Sequence, residues 1–123
     1  MTKQEVLKDR TKRFAIRIVK LFRALPKSEE ARIIGKQVLR SGTSVAANYR
    51  AVCRARSNAE FIAKIGVVVE EADETVFWLE LLGETEIIGL SKLENLMNEA
   101  NELLAIFAAS QITEKTNSPK YKK

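Results

Sequence analysis

The sequence predicts an all-α protein, an up-down-up-down antiparallel four-helix bundle assembling as a cyclic homo-oligomer. Three observations lead there. Apolar residues recur at three- and four-residue spacing over four long stretches, short turn or capping signals separate those stretches, and no run of strict apolar/polar alternation competes for a strand. A chain of 123 residues with 46% hydrophobic and 30% charged residues has the size and balance of one domain. We expect the bundle over residues 1–114 and a disordered basic tail over 115–123.

The first helix is expected from about Val6 to Leu25, ended by Pro26. Phe14, Ile18, Leu21 and Leu25 form its stripe, and Arg13, Arg17, Lys20 and Arg23 lie opposite. Ser28 before Glu29 and Glu30 is a start signal, a hydroxyl cap followed by carboxylates at the positive end of the dipole. The second helix then runs to about Ala55 with Ile34, Val38, Val45, Tyr49 and Val52 inward; Gly35 and Gly42 suggest a close helix approach or a bend. Ser57 and Glu60 form an S-x-x-E capping box that opens the third helix at Asn58. Ser91 and Glu94 repeat the box for a fourth helix, expected from Lys92 to about Ile112 with Leu93, Met97, Ala100, Leu104 and Phe107 inward.

The third helix, residues 57–84, carries more apolar surface than one partner covers. Phe61, Ile65, Val68, Ala72, Val76 and Leu79 supply the bundle stripe. On another side Val67, Phe77 and Trp78 stand among Glu70, Glu71 and Glu74, and a second apolar patch needs a second surface. A subunit interface is expected there.

Charge is divided along the chain: residues 1–64 hold 16 Lys+Arg against 5 Asp+Glu, and residues 65–114 hold 1 against 11. On the second helix Arg32, Lys36, Arg40, Arg50 and Arg54 share one arc, and five aligned cations repel one another unless an anion lies alongside. A solvated face, an acidic protein partner and a phosphate backbone all remain open for them. With Arg13, Arg17 and Lys20 they are the candidate nucleic-acid contacts. If this basic side faces the acidic side of the third helix of another copy, the contacts are heterologous and must close a ring or run on as a filament, closure being the commoner outcome.

Other chemistry has few candidates. There is no histidine and one cysteine, so zinc spacings, disulfide frameworks and imidazole catalysis are absent from the sequence. Cys53 reads as a structural thiol, Glu70, Glu71, Asp73 and Glu74 lack the matching ligands of a bundle metal site, and no G-x-x-x-x-G-K-[ST] loop occurs. No enzymatic activity and no cofactor are expected. Asn48 and Tyr49 are expected to hydrogen-bond Glu70 or Asp73 across the bundle. Neither a secretory signal nor a membrane span is visible, so a cytoplasmic protein without membrane contact is expected.

The run from Ser41 to Leu82 resembles the "four helix bundle protein" family, also called the 23S rRNA-intervening-sequence proteins. The likeness is carried by Ser41-Gly42-Thr43-Ser44, Asn48-Tyr49-Arg50, Arg54, Ser57, Glu60-Phe61 and the group Glu70, Glu71, Asp73, Glu74 and Trp78; Val52 and Asn58 depart from it in minor ways. The resemblance implies a bundle that assembles as a ring of five subunits, with no established enzymatic activity. It also implies kinship with the accessory variability proteins of diversity-generating retroelements, basic pentameric barrels that bind nucleic acid and a reverse transcriptase. For this chain a reverse-transcriptase partner is an alternative to direct binding of RNA or DNA.

Overall fold

The computed structural model describes residues 1–118, and among them all regular structure is helical: α1 (Lys3–Ala24), α2 (Glu29–Val52), α3 (Asn58–Glu84) and α4 (Leu90–Asn117). The four helices pack as a bundle in which each lies against its chain neighbours, and a thinner α1–α4 contact closes it.

Local chemistry accounts for most of the ends. The Ser28 and Ser57 hydroxyls accept from the backbone N–H groups of Ala31 (3.3 Å) and Glu60 (3.1 Å), as expected for caps. The Glu60 carboxylate turns forward to Lys64 at 3.2 Å, which leaves the capping box half formed. α1 starts at Lys3, earlier than the expected Val6, because Thr2 accepts from the Glu5 N–H at 3.1 Å and caps the first turn. α2 stops at Val52, three residues before Ala55, as the chain turns through Cys53 and Arg54.

The predicted Ser91–Glu94 box does not form. Gly89 is the N-cap of α4 and makes no side-chain cap bond, because Glu86 in the left-handed region (φ 61°) ends α3 and brings the chain round early. Leu90 then starts α4 by packing against Gly83, where a Cβ would come within 2.5 Å of the Leu90 Cδ2. At the other end α4 continues to Asn117, past the expected Ile112, so the first residues of the expected tail are helical. The expected disorder of the tail's end falls on residues 119–123, outside the described ones.

The core repeats at 3.5 residues. On α2 the buried positions 31, 35, 38, 42, 45, 49 and 52 keep this spacing, with Ser41 buried beside them, and on α4 positions 93, 96, 100, 103 and 107 do the same. This is the heptad spacing of bundles whose helices wrap gently around one another. A straight 3.6-residue wheel drifts from such a seam, which is why α3 buries Ile62, Thr75 and Leu82 while the expected Phe61 and Val76 are half-buried. On α4, Leu96 and Leu103 take the inner places expected for Met97 and Leu104.

Gly42 and Gly35 mark close approach, not a bend. A Cβ on Gly42 would sit 2.8 Å from Cγ1 of buried Ile18, and one on Gly35 2.7 Å from Cδ1 of Leu25, so α1 lies against bare backbone there. Across α2 and α3, the buried Thr75 hydroxyl lies 2.9 Å from the Ser41 Oγ and 2.7 Å from the Glu71 carbonyl, which satisfies a polar pair in the core. Asn48 and Tyr49 do not reach Glu70 or Asp73. Asn48 donates to the Ser44 carbonyl of its own helix at 2.9 Å, since a short amide side chain finds an acceptor one turn back on its own backbone. Tyr49 is buried against Phe107 (ring centres 5.1 Å apart), and burial beside Cys53 pushes its phenol up to about 12.

Candidate nucleic-acid and subunit interfaces

Regular helix geometry keeps Arg32, Lys36, Arg40 and Arg50 in line along α2, since residues three and four apart stack on one side of a helix, and Arg54 follows in the turn just past its end. Arg32, Lys36, Arg40, Arg50 and Arg54 are all exposed. They do not share one fate. Arg40 reaches α3 of its own chain, bonding Glu71 at 3.1 Å and closing a short contact with Glu74. The Glu74 contact raises the Arg40 guanidinium, and Arg40 in turn holds the Glu74 carboxyl below the usual carboxylate range. Arg32, Lys36, Arg50 and Arg54 make no ion pair among the described residues.

On α1, Arg13 is held by Asp9 one turn back at 2.9 Å, and Arg17 donates to the Asn95 side chain on α4 at 2.8 Å. Lys20 is exposed and without an ion pair among the described residues. Wheel reasoning passed over Arg10, which reaches α4 and pairs with Glu99 (2.7 Å) and Glu102 (2.8 Å). Those contacts raise its guanidinium and lower the Glu99 carboxyl. No spacing within one helix could have signalled it, because both partners lie on α4, Glu99 being 89 residues on.

Lys8 and Lys12 were also missed. They form the α1 wall of a groove whose opposite wall is Arg50 on α2 and Arg54 in the turn after it, over a floor of Thr43, Ala46, Ala47 and Ala51; Glu5 and Asp9 complete the α1 side. The small floor residues were visible in the sequence, but only the packing of α1 beside α2 turns them into a groove.

The expected interface set on α3 divides. Val67 and Phe77 are 43% and 52% exposed, and Glu70 stands beside them in solvent. Glu71, Glu74 and Trp78 are instead committed to their own chain: the carboxylates to Arg40, the indole to the core edge, with its ring edge-to-face on Phe77 at 4.9 Å. The indole N–H is covered and leans toward Glu74 without closing a hydrogen bond. Phe77 is thus the aromatic that remains available.

Among the described residues no three histidine, cysteine or carboxylate side chains converge as a metal site, and no helix is long and apolar enough to cross a membrane. Half-buried Cys53 packs against the core.

Fold and surface together define an all-α four-helix bundle protein with one basic and one acidic apolar-centred side. The chain belongs to the 23S rRNA-intervening sequence protein family, whose model matches residues 3–109. A solved structure from Bacteroides thetaiotaomicron VPI-5482, a protein of unknown function from the S23 ribosomal protein family, shares 39% identity and superposes with a TM-score of 0.82 over 89% of this chain and 98% of its own. No curated protein matches.

Proposed function

We propose that the protein is a non-enzymatic, cytoplasmic homo-oligomer, an up-down-up-down antiparallel bundle closed into a ring of five copies, which binds RNA or DNA by its backbone. The contacts are the exposed cations of α1 and α2. The observation that carries this reading is the set Lys20, Arg32, Lys36, Arg50 and Arg54, exposed on α1, α2 and the turn just after α2 with no ion pair among the described residues. Holding like charges so close costs energy that an anionic polymer relieves. Repetition around a ring adds weak contacts together.

Pairings along the helices support the antiparallel topology. Arg10 meets Glu99 and Arg17 meets Asn95, so α4 descends where α1 ascends; Asn58 meets Glu114, and Gly83 meets Leu93, between α3 and α4. Between α1 and α2, Gly35 faces Leu25 and Gly42 faces Ile18.

Binding of a short RNA and of a DNA duplex, measured across a salt series, tests the function. Log affinity is expected to fall linearly with log salt, at a slope of about −0.9 per phosphate contacted on the duplex, and Arg32→Glu with Lys36→Glu weakens both ligands alike. Absent or salt-independent binding at low ionic strength contradicts it. A second reading is a protein–protein assembly module, or an accessory factor of a reverse transcriptase, with no direct nucleic-acid role. The capture of Arg40 by Glu71 and Glu74 favours it, since protein carboxylates satisfy part of the stripe.

A further inference from the structure

We propose that the groove between α1 and α2 seats the outer face of α3 from a second copy of the chain. The inference rests on the ring reading above and deepens it by naming both surfaces. Four cations wall the groove, Lys8 and Lys12 on α1, Arg50 on α2 and Arg54 in the turn just after α2, and none makes an ion pair among the described residues. Of the two acids on the α1 side, Asp9 is already held by Arg13, and Glu5 lies in the first turn of α1.

The floor chooses the occupant. Ala46, Ala47 and Ala51 offer a shallow apolar surface among the cations, against which an apolar helix face can pack, and they offer a phosphate nothing. No aromatic side chain lines the groove to stack a base. The outer face of α3 complements it: Ala63, Val67 and Phe77 are exposed among Glu70, Asp73 and Glu80, and no lysine or arginine occurs between residues 65 and 91. Docking takes Val67 and Phe77 out of water against the alanines and sets their flanking carboxylates against the four cations.

Because the two surfaces differ, each copy offers a groove to one neighbour and a face to the other, and the chain of contacts closes as a ring. Arg50 and Arg54 are then withdrawn from the nucleic-acid contacts into the subunit seam, and Lys20, Arg32 and Lys36, nearer the α1–α2 turn, remain for the nucleic acid. Arg40, Glu71, Glu74 and Trp78 stay in their own bundle.

The test is a charge exchange read by sedimentation velocity on the full chain. One variant reverses the groove (Lys12→Glu, Arg50→Glu, Arg54→Glu) and another reverses the face (Glu70→Lys, Asp73→Lys, Glu80→Lys). Each alone is expected to sediment as the 13.9 kDa chain with helical circular dichroism retained, and an equimolar mixture is expected to regain larger species, since each then meets a complementary surface. Ala47→Trp, which fills the groove without changing charge at an exposed position, is expected to disperse the assembly as well. If wild type assembles and all three variants assemble with it unchanged, the ring stands and this docking falls. If the groove variants keep the assembly but lose RNA binding, the groove holds a phosphate backbone and the proposal is overturned. A wild-type chain that sediments as a monomer removes the ring and the docking together.

Discussion

At the α1–α4 seam, where the two helices meet along few residues, the Arg10 guanidinium is gripped by Glu99 and Glu102 with about a quarter or less of the Arg10 and Glu99 side chains left exposed. A bidentate, partly buried pair of this kind contributes about 1 kcal/mol, more than an exposed one. Arg10 holds Glu99 below its ordinary value of 4.5, so the contribution is complete above the unfolded carboxyl's value and disappears as pH falls through the lower folded one. Glu99→Gln is therefore expected to be less stable than wild type by about 1 kcal/mol near neutrality, the two urea midpoints converging in acid. A gap that persists unchanged into strong acid contradicts the assignment. Nothing near Arg10 in sequence betrays this role, nor does anything betray the bond between Thr75 and Ser41. Cross-helix partners become visible only once the helices are set side by side.

Helix–helix distance is written most plainly at the glycines. A methyl group added at Gly42 meets the branched, fully buried Ile18, which has nowhere to go, so Gly42→Ala is expected to lose about 1–2 kcal/mol despite alanine's better helix propensity. At Gly66 the only neighbour is the end of the Gln111 side chain, 2.9 Å from the added carbon and free to swing away. Gly66→Ala is expected to gain up to about 1 kcal/mol. Thermal unfolding of the pair checks both signs; a stabilised Gly42→Ala contradicts the close approach of α1. Most of each element could be read from the chain: Ser28 and Ser57 act as caps, and Pro26 follows directly on the end of the first helix. What could not be read was the 3.5-residue repeat hidden among richly apolar helices. On α3 and α4 either of two adjacent stripes satisfied a simple wheel, and neighbours on both sides chose Ile62, Thr75, Leu96 and Leu103.

For the molecule as a whole, the two-sided α3 organises the account. Val67, Phe77 and Glu70 were identifiable from sequence because their apolar-and-acidic pattern repeats off the core stripe, whereas Trp78, Glu71 and Glu74 looked equally available until Arg40 and the core edge claimed them. The groove proposed to receive that pattern was illegible for a different reason: it belongs to two helices at once, and only half of its wall lay on the stripe that drew attention. If α3 has one side for its own bundle and one for a sister copy, a solitary chain leaves apolar area wet at Val67 and Phe77, and assembly should persist on dilution. The direct test is light-scattering mass of the purified wild-type protein at low micromolar concentration, at moderate salt and without nucleic acid. We expect about five times the 13.9 kDa chain; a well-folded species at the mass of one chain would contradict the two-sided helix from which the rest follows.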